Sequence, residues 1–182
     1  MDRRQRKTRQ AIFQSFTALL SQKPFHRITV GEIIEKADIG RATFYAHFET
    51  REDLLQAFCQ ELFCHIFDTE QRDSTHRHIF DCEGADSPFL HLFYHVQKND
   101  NHILSLLGSE NNELFGVYFR RSLSLLVEHQ YPLFAPKKPK NIPEDFWKNH
   151  ITATLWETLN WWLQNGRIQS PETITEYFLS CV

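Results

Sequence analysis

Residues 29–48 read TVGEIIEKADIGRATFYAHF and run on into ETREDLL at 49–55. Thr29 and Glu32 have the spacing of a capping box, in which the hydroxyl takes an orphan N–H at a helix start while the carboxylate reaches back to the cap. A short helix over about 30–36 is expected to follow. Ala37-Asp38-Ile39-Gly40 then reads as a tight turn, since Asp tolerates left-handed backbone better than most residues. Arg41–Phe48 is expected as a second short helix, with Phe44 and Phe48 four apart on its core-facing side. Thr50-Arg51-Glu52-Asp53 resembles a second capping box. It opens a long helix with Leu54, Leu55, Phe58, Cys59, Leu62, Phe63, Ile66 and Phe67 on its apolar face.

Upstream, Ile12, Phe13, Phe16, Leu19 and Leu20 form the stripe of an amphipathic helix over 8–21, which Pro24 ends. Two short helices joined by a tight turn and packed on a preceding helix make a helix-turn-helix unit, whose second helix is built to lie in a DNA major groove. On that second helix, Arg41 can donate two hydrogen bonds to guanine O6 and N7. The methyl groups of Ala42 and Thr43 suit a thymine methyl. Tyr45 and His47 suit phosphate oxygens, contacts that position without specifying. Thr29, at the start of the first short helix, joins the candidate DNA contacts. Arg51 combines a cation with the free N–H groups of a helix start, which makes a phosphate seat. The basic run Arg3, Arg4, Arg6, Lys7 and Arg9 can follow the DNA backbone or reach the minor groove.

Charge supports the same division. The 182 residues carry a net charge of −3, which by itself predicts no affinity for a polyanion. Residues 1–51, however, hold ten Lys/Arg against five Asp/Glu, whereas residues 52–182 hold ten against eighteen. A basic head on an acidic body implies that only the head meets DNA. The expected domains are therefore a helix-turn-helix unit over 1–51 and a larger helical unit over 52–182.

The run from Thr29 to Phe48, followed by Arg51-Glu52-Asp53-Leu54-Leu55, resembles the DNA-binding signature of TetR/AcrR-type transcriptional regulators, with Thr43-Phe44-Tyr45-Ala46-His47-Phe48 its most specific part. Two positions depart from the family pattern: Asp38 stands where Gly is usual, and Gly40 where Ser or Thr often caps the recognition helix. The resemblance implies an all-α chain, a homodimer on a palindromic double-stranded operator, and a larger domain that senses an unknown small-molecule inducer and dimerises through its last two helices. It further implies repression as the default. Residues 88–95, 161–166 and 170–172 resemble a subgroup that includes dihydroxyacetone-kinase regulators.

Along the body, residues 70–87 read as a loop or frayed helix end, Ser87-Pro88 as a helix start, and 88–99, 101–107 and 111–130 as helices. Residues 131–143, with four prolines and three lysines, read as a loop. A long helix over about 143–165 ends at Asn165-Gly166, and Ser170-Pro171 opens the last one. All four tryptophans fall on that long helix, where 147, 151, 155, 159 and 162 make a stripe of Trp, Ile, Leu, Leu and Trp that suits a core or a dimer seam. Phe93, His95, Phe115, Tyr118, Phe119, Trp156 and Asn160 are the candidates for a ligand pocket, with most of them expected in the core.

His91 and His95, four apart, have a spacing able to hold zinc, with no third ligand evident nearby. His76, His78, Asp81 and Cys82 form another possible metal or redox group. Chance clustering among ten histidines is the stronger reading, so no metal and no cofactor are expected. Cys59 and Cys64 read as small buried hydrophobes. No export signal or membrane span is read, which with scattered cysteines implies a cytoplasmic, reduced protein. No nucleophile motif, phosphate loop or paired-carboxylate signature supports an enzyme. The competing class is a DNA-binding regulator or adaptor controlled by a protein partner; a cavity of a few hundred Å³ would favour a ligand, and an exposed apolar groove a partner.

Overall fold

The stripe of residues 12–20 becomes the buried face of α1 (Arg3–Leu20), in a computed structural model that describes residues 3–67, 87–98 and 113–182. A 3-10 turn (Phe25–Arg27) leads to α2 (Val30–Ala37), α3 (Arg41–Tyr45) and the long α4 (Arg51–Phe67). The remaining described helices are α5 (Pro88–Lys98), α6 (Glu113–His129), α7 (Glu144–Gln164) and α8 (Pro171–Ser180), and no strand occurs among the described residues. The all-α expectation holds. The loop expected at 70–87 lies almost wholly outside the described residues, and the helix expected at 101–107 entirely so. The proline-rich stretch is more ordered than a plain loop: it folds into two 3-10 turns, Tyr131–Leu133 and Ala135–Lys137.

Two differences at the N-terminal end follow from local chemistry. α1 starts at Arg3 and not near residue 8, so the basic run is itself helical. Arg and Lys are good helix formers, and the apolar face further along α1 supplies the packing that fixes them. The second short helix is regular only to Tyr45; a turn carries the chain on to Phe48. Phe44 and Phe48 nevertheless anchor it as their spacing predicts. Both are buried, 5.9 Å apart between ring centroids, and Phe48 meets Phe13 of α1 edge-on at 5.8 Å. Asp38 takes φ 50°, ψ 51°, the left-handed C-cap that its side chain tolerates.

One helix carries a continuous core from the N-terminal helices into the body. Phe58 of α4 contacts Phe13 and Phe16 of α1 at 6.2 and 6.0 Å, while Phe63, on the same helix, packs edge-on against Phe119 of α6 at 5.0 Å. The body then closes around α5, α6, α7 and α8. The stripe Trp147, Ile151, Leu155, Leu159 and Trp162 is buried within the subunit, which settles it as core. Phe89, Phe134 and Phe178 form an aromatic trio that joins α5, the proline-rich turns and α8. α7 ends in a Schellman motif: the Gly166 N–H donates to Leu163 and the Arg167 N–H to Trp162. Gly166 has φ 70°, the left-handed region this cap requires. Arg167 goes further, its guanidinium donating to the carbonyls of Val96 and Gln97 at the end of α5.

Candidate nucleic-acid interface

α3 presents an uninterrupted outward face. Arg41, Ala42, Thr43 and Tyr45 are exposed while Phe44 between them is fully buried. Tyr45 is 49% exposed, unusually open for a large aromatic, and its ring stands edge-on to Phe44. Phe44 thus holds the helix to the core and leaves its other side for an external partner. His47 is half-buried just beyond. Burial, and then the positive charge of Arg9, push its pKa below the ordinary histidine value. His47 is therefore a neutral imidazole at neutral pH, able to donate one hydrogen bond without carrying charge.

The capping box at α2 is complete: the Thr29 hydroxyl accepts from the Glu32 N–H, and the Glu32 carboxylate accepts from the Thr29 N–H. Lys23 also donates to Glu32. That hydrogen bond, followed by the Thr29 backbone and hydroxyl, lowers the Glu32 pKa to about 2. The Thr29 side chain is thus spent on the fold; what α2 offers outward is its exposed N-terminal end. Thr50 and Asp53 form the second box at the start of α4.

Two cations from the expected DNA set have internal work that the sequence did not signal. Arg51 donates from Nη1 to the carbonyls of Ile28 (2.7 Å), His26 (3.0 Å) and Phe25 (3.4 Å), from Nε to Glu52 (2.8 Å), and covers the Phe25 ring. It straps the first turn of α4 to the segment that enters α2. Arg9 lies over the rings of Phe13 and Phe48 at about 5 Å and pairs with Glu61 of α4 at 3.1 Å. Arg3, Arg4, Arg6 and Lys7 are exposed along α1. No spacing rule links Arg51 to three carbonyls more than twenty residues upstream, so only the fold reveals the strap.

The candidate pocket residues separate into groups. Phe115 and Phe119 are buried together at 5.3 Å, with half-buried Trp156 of α7 at 6.1 Å from Phe119 and Tyr118 beside the same core. Phe93 instead packs edge-on against Trp162 at 5.5 Å, and Asn160 is half-buried on α7. His95 belongs to neither group. It lies with His91 and with His65 of α4, so helix packing supplies the third histidine that the sequence did not show. His76, His78, Asp81 and Cys82 lie outside the described residues. Cys59 is buried and desolvation raises its thiol pKa, as a core hydrophobe requires. Cys64 is exposed, against expectation, because it faces away from the α4 stripe.

A separate apolar groove of about 520 Å³ opens on the outer face of α7 and α8, between Ala153, Thr154, Glu157, Thr158 and Trp161 on one side and Ile174, Tyr177 and Cys181 on the other. Trp161 and Tyr177 stand about half exposed along it. No helix among the described residues is long and apolar enough to cross a membrane.

Comparison with known proteins agrees with this geometry. The model for bacterial regulatory proteins of the TetR family matches residues 12–58, and a model for a transcriptional regulator C-terminal region matches residues 85–182. A solved TetR transcriptional regulator from Streptococcus agalactiae is 32% identical with a TM-score of 0.74, over 100% of this chain and 96% of that one. A solved structure from Syntrophomonas wolfei, at 20% identity, TM-score 0.64 and coverage of 96% and 92%, shares the fold. The Bacillus subtilis uncharacterised HTH-type transcriptional regulator YxbF is 39% identical over 69 residues, 37% of this chain and 18% of that protein. The Lactococcus lactis HTH-type dhaKLM operon transcriptional activator DhaS is 31% identical over 61 residues, 34% of this chain and 33% of that protein. The chain thus covers well under two thirds of either curated relative. Family and fold are those of transcriptional regulators, which bind DNA and are typically not enzymes. The chain belongs to the TetR family of bacterial transcriptional regulators.

Proposed function

We propose that this regulator works in the cytoplasm as a homodimer, places its two α3 helices in successive major grooves of a palindromic operator about 34–36 Å apart, and represses until a small-molecule ligand releases it. The observation that carries the DNA reading is the exposed face of Arg41, Ala42, Thr43 and Tyr45 on a helix pinned from behind by Phe44. Arg41 reads a guanine and the Ala42 and Thr43 methyl groups meet thymine. Tyr45, His47 and the α2 end at Thr29 take phosphates. Arg51 positions α2 against α4 and lies close to the same backbone.

Residues 1–51 read DNA and residues 52–182 dimerise and sense. The α7–α8 groove supports the dimer, since Trp161 and Tyr177 leave an apolar strip whose burial against a copy of itself would remove both rings from water. The aromatic group of buried Phe115 and Phe119 with half-buried Tyr118 and Trp156 is the part of the body core where an apolar ligand would insert. α4 supports release: its Phe58 packs on α1 and its Phe63 on α6, so a ligand that prefers one setting of α4 biases the spacing of the heads.

Selection of bound duplexes from a random pool, followed by titration at several salt concentrations, tests this. A two-fold symmetric site and a steep salt slope are expected. Sedimentation should give about twice the 21.7 kDa chain mass. No sequence preference, or a monomer at micromolar concentration, overturns the reading.

A further inference from the structure

Three imidazoles meet between α4 and α5. His91 and His95 are almost fully buried one turn apart on α5, and half-buried His65 approaches them from α4. The ring centroids stand 5.0 Å apart for His65–His91, 5.0 Å for His65–His95 and 4.7 Å for His91–His95. One ligating nitrogen from each ring lies within 4.8 Å of the others, and the Nε2 atoms of His91 and His95 are 3.1 Å apart. We propose that His65, His91 and His95 form a binding site for a divalent transition-metal ion of the zinc class.

The dimensions fit with little movement. Nitrogens about 2.0–2.1 Å from a tetrahedral ion lie about 3.3 Å from one another, and the ring centroids behind them about 5 Å apart. The pair on α5 already has that separation. The third nitrogen, on an adjoining helix, lies within 4.8 Å of the other two and closes in on binding. The donor set is all imidazole, which suits zinc, cobalt, nickel or copper and not magnesium or calcium, whose preferred ligands are oxygens. Three protein nitrogens leave one position of a tetrahedron for water or an acidic small molecule.

Phe89, Leu92, Phe93 and Val96 are buried on the same turns of α5, so the site is walled by apolar side chains. Without an ion the Nε2 atoms of His91 and His95 share a hydrogen bond, and a bound cation takes the place of that proton. An ion held there joins α4 to α5. Binding to the folded chain alone raises its melting temperature with free-ion concentration.

The test uses the full chain. Titration with Co²⁺ should give visible ligand-field bands that saturate at one ion per chain, and Zn²⁺ should displace them. In the parent protein labelled with ¹⁵N, Zn²⁺ should shift the ring nitrogens of three histidines together, a readout that needs no variant. His65→Ala, which alters a half-buried ring, should keep the parent helicity while weakening binding roughly a hundredfold, and His95→Gln should do the same. The melting temperature should rise with Zn²⁺ in the parent and not in His65→Ala. An absence of bands and of histidine shifts in the parent overturns the proposal. So does binding that is undiminished in folded His65→Ala, which would place the ion elsewhere. Each readout is independent of DNA, so the outcome stands apart from the operator reading.

Discussion

The head and the body of this chain are held together by different chemistry. In the head, short helices are fixed by directional polar contacts: the Thr29–Glu32 and Thr50–Asp53 capping boxes, the Arg51 strap and the Arg9 cation–π contacts. A helix of five residues cannot stand on its own propensity; α3 has no side-chain cap and is held by buried Phe44 and Phe48, between the capped starts of α2 and α4. Aromatic contacts fill both regions, but the body adds longer-range bracing between its helices, as with Lys148 against Glu128 and Arg167 against the end of α5. The head has to hold one rigid face against a ligand whose geometry is fixed. α4 belongs to both regions.

The largest effect is therefore expected on the helix that head and body share. Phe58→Ala empties a fully buried site facing Phe13 and Phe16, and should lower stability by about 3–5 kcal/mol. Denaturant unfolding followed at separate head and body probes checks it. If the body transition stays in place while the head melts, α4 does not couple the regions.

Arg51→Ala should cost about 1–2 kcal/mol, the scale of charge-assisted hydrogen bonds in a partly exposed group. Arg51→Lys should recover little of it, because an ammonium cannot reproduce the guanidinium fork. Arg167→Ala, which removes the matching contact in the body, is the control. An equal loss there in thermal unfolding would show that both regions rely on such straps.

The legibility of the sequence follows the same divide. In the head the decisive signals are local. A capping box spans four residues, the Phe44–Phe48 anchor spans five, and the left-handed turn falls on Asp38; the structure contains all three. Helix spacing also placed Trp147 to Trp162 on one stripe suited to a core or a dimer seam, and the fold buries it within the subunit. What stayed hidden depends on contacts between distant segments. Arg51 meets carbonyls at 25–28, Arg9 meets Glu61, and His65 joins His91 and His95 only because α4 packs on α5. Residue type suggested phosphate contact for Arg51 and Arg9, and only the fold shows that each also has a structural partner.

Tyr45→Ala should leave unfolding unchanged, since its ring is half exposed and Phe44 holds the helix. It should weaken operator binding across sequences by about 1 kcal/mol, because a phosphate contact carries no base information. Arg41→Ala should instead relax the choice at one base pair by about 1–3 kcal/mol. Anisotropy titrations on matched and single-mismatch duplexes separate the two. A base-specific effect of Tyr45→Ala would move that residue from positioning to reading.

The smallest effect concerns the α2 cap and its pH dependence. The Glu32 pKa falls from 4.5 to about 2 in the folded chain, first through the Lys23 hydrogen bond and then through Thr29. A carboxyl whose folded pKa is depressed adds stability that is complete above the unfolded value and is lost as pH falls toward the folded one. The head should therefore begin to weaken below about pH 4.5 and lose this contribution near pH 2. Glu32→Gln keeps a side chain able to close the box but removes the titration, so its stability should be flatter across that window. Thr29→Ala removes the hydroxyl and should cost about 1 kcal/mol at neutral pH as well. The ring shifts of Trp147 and Trp162 in the body should ignore all of this until global unfolding, because no part of the cap reaches them. A body signal that followed the Glu32 titration would mean that the polar bracing of the head extends through α4 into the aromatic core.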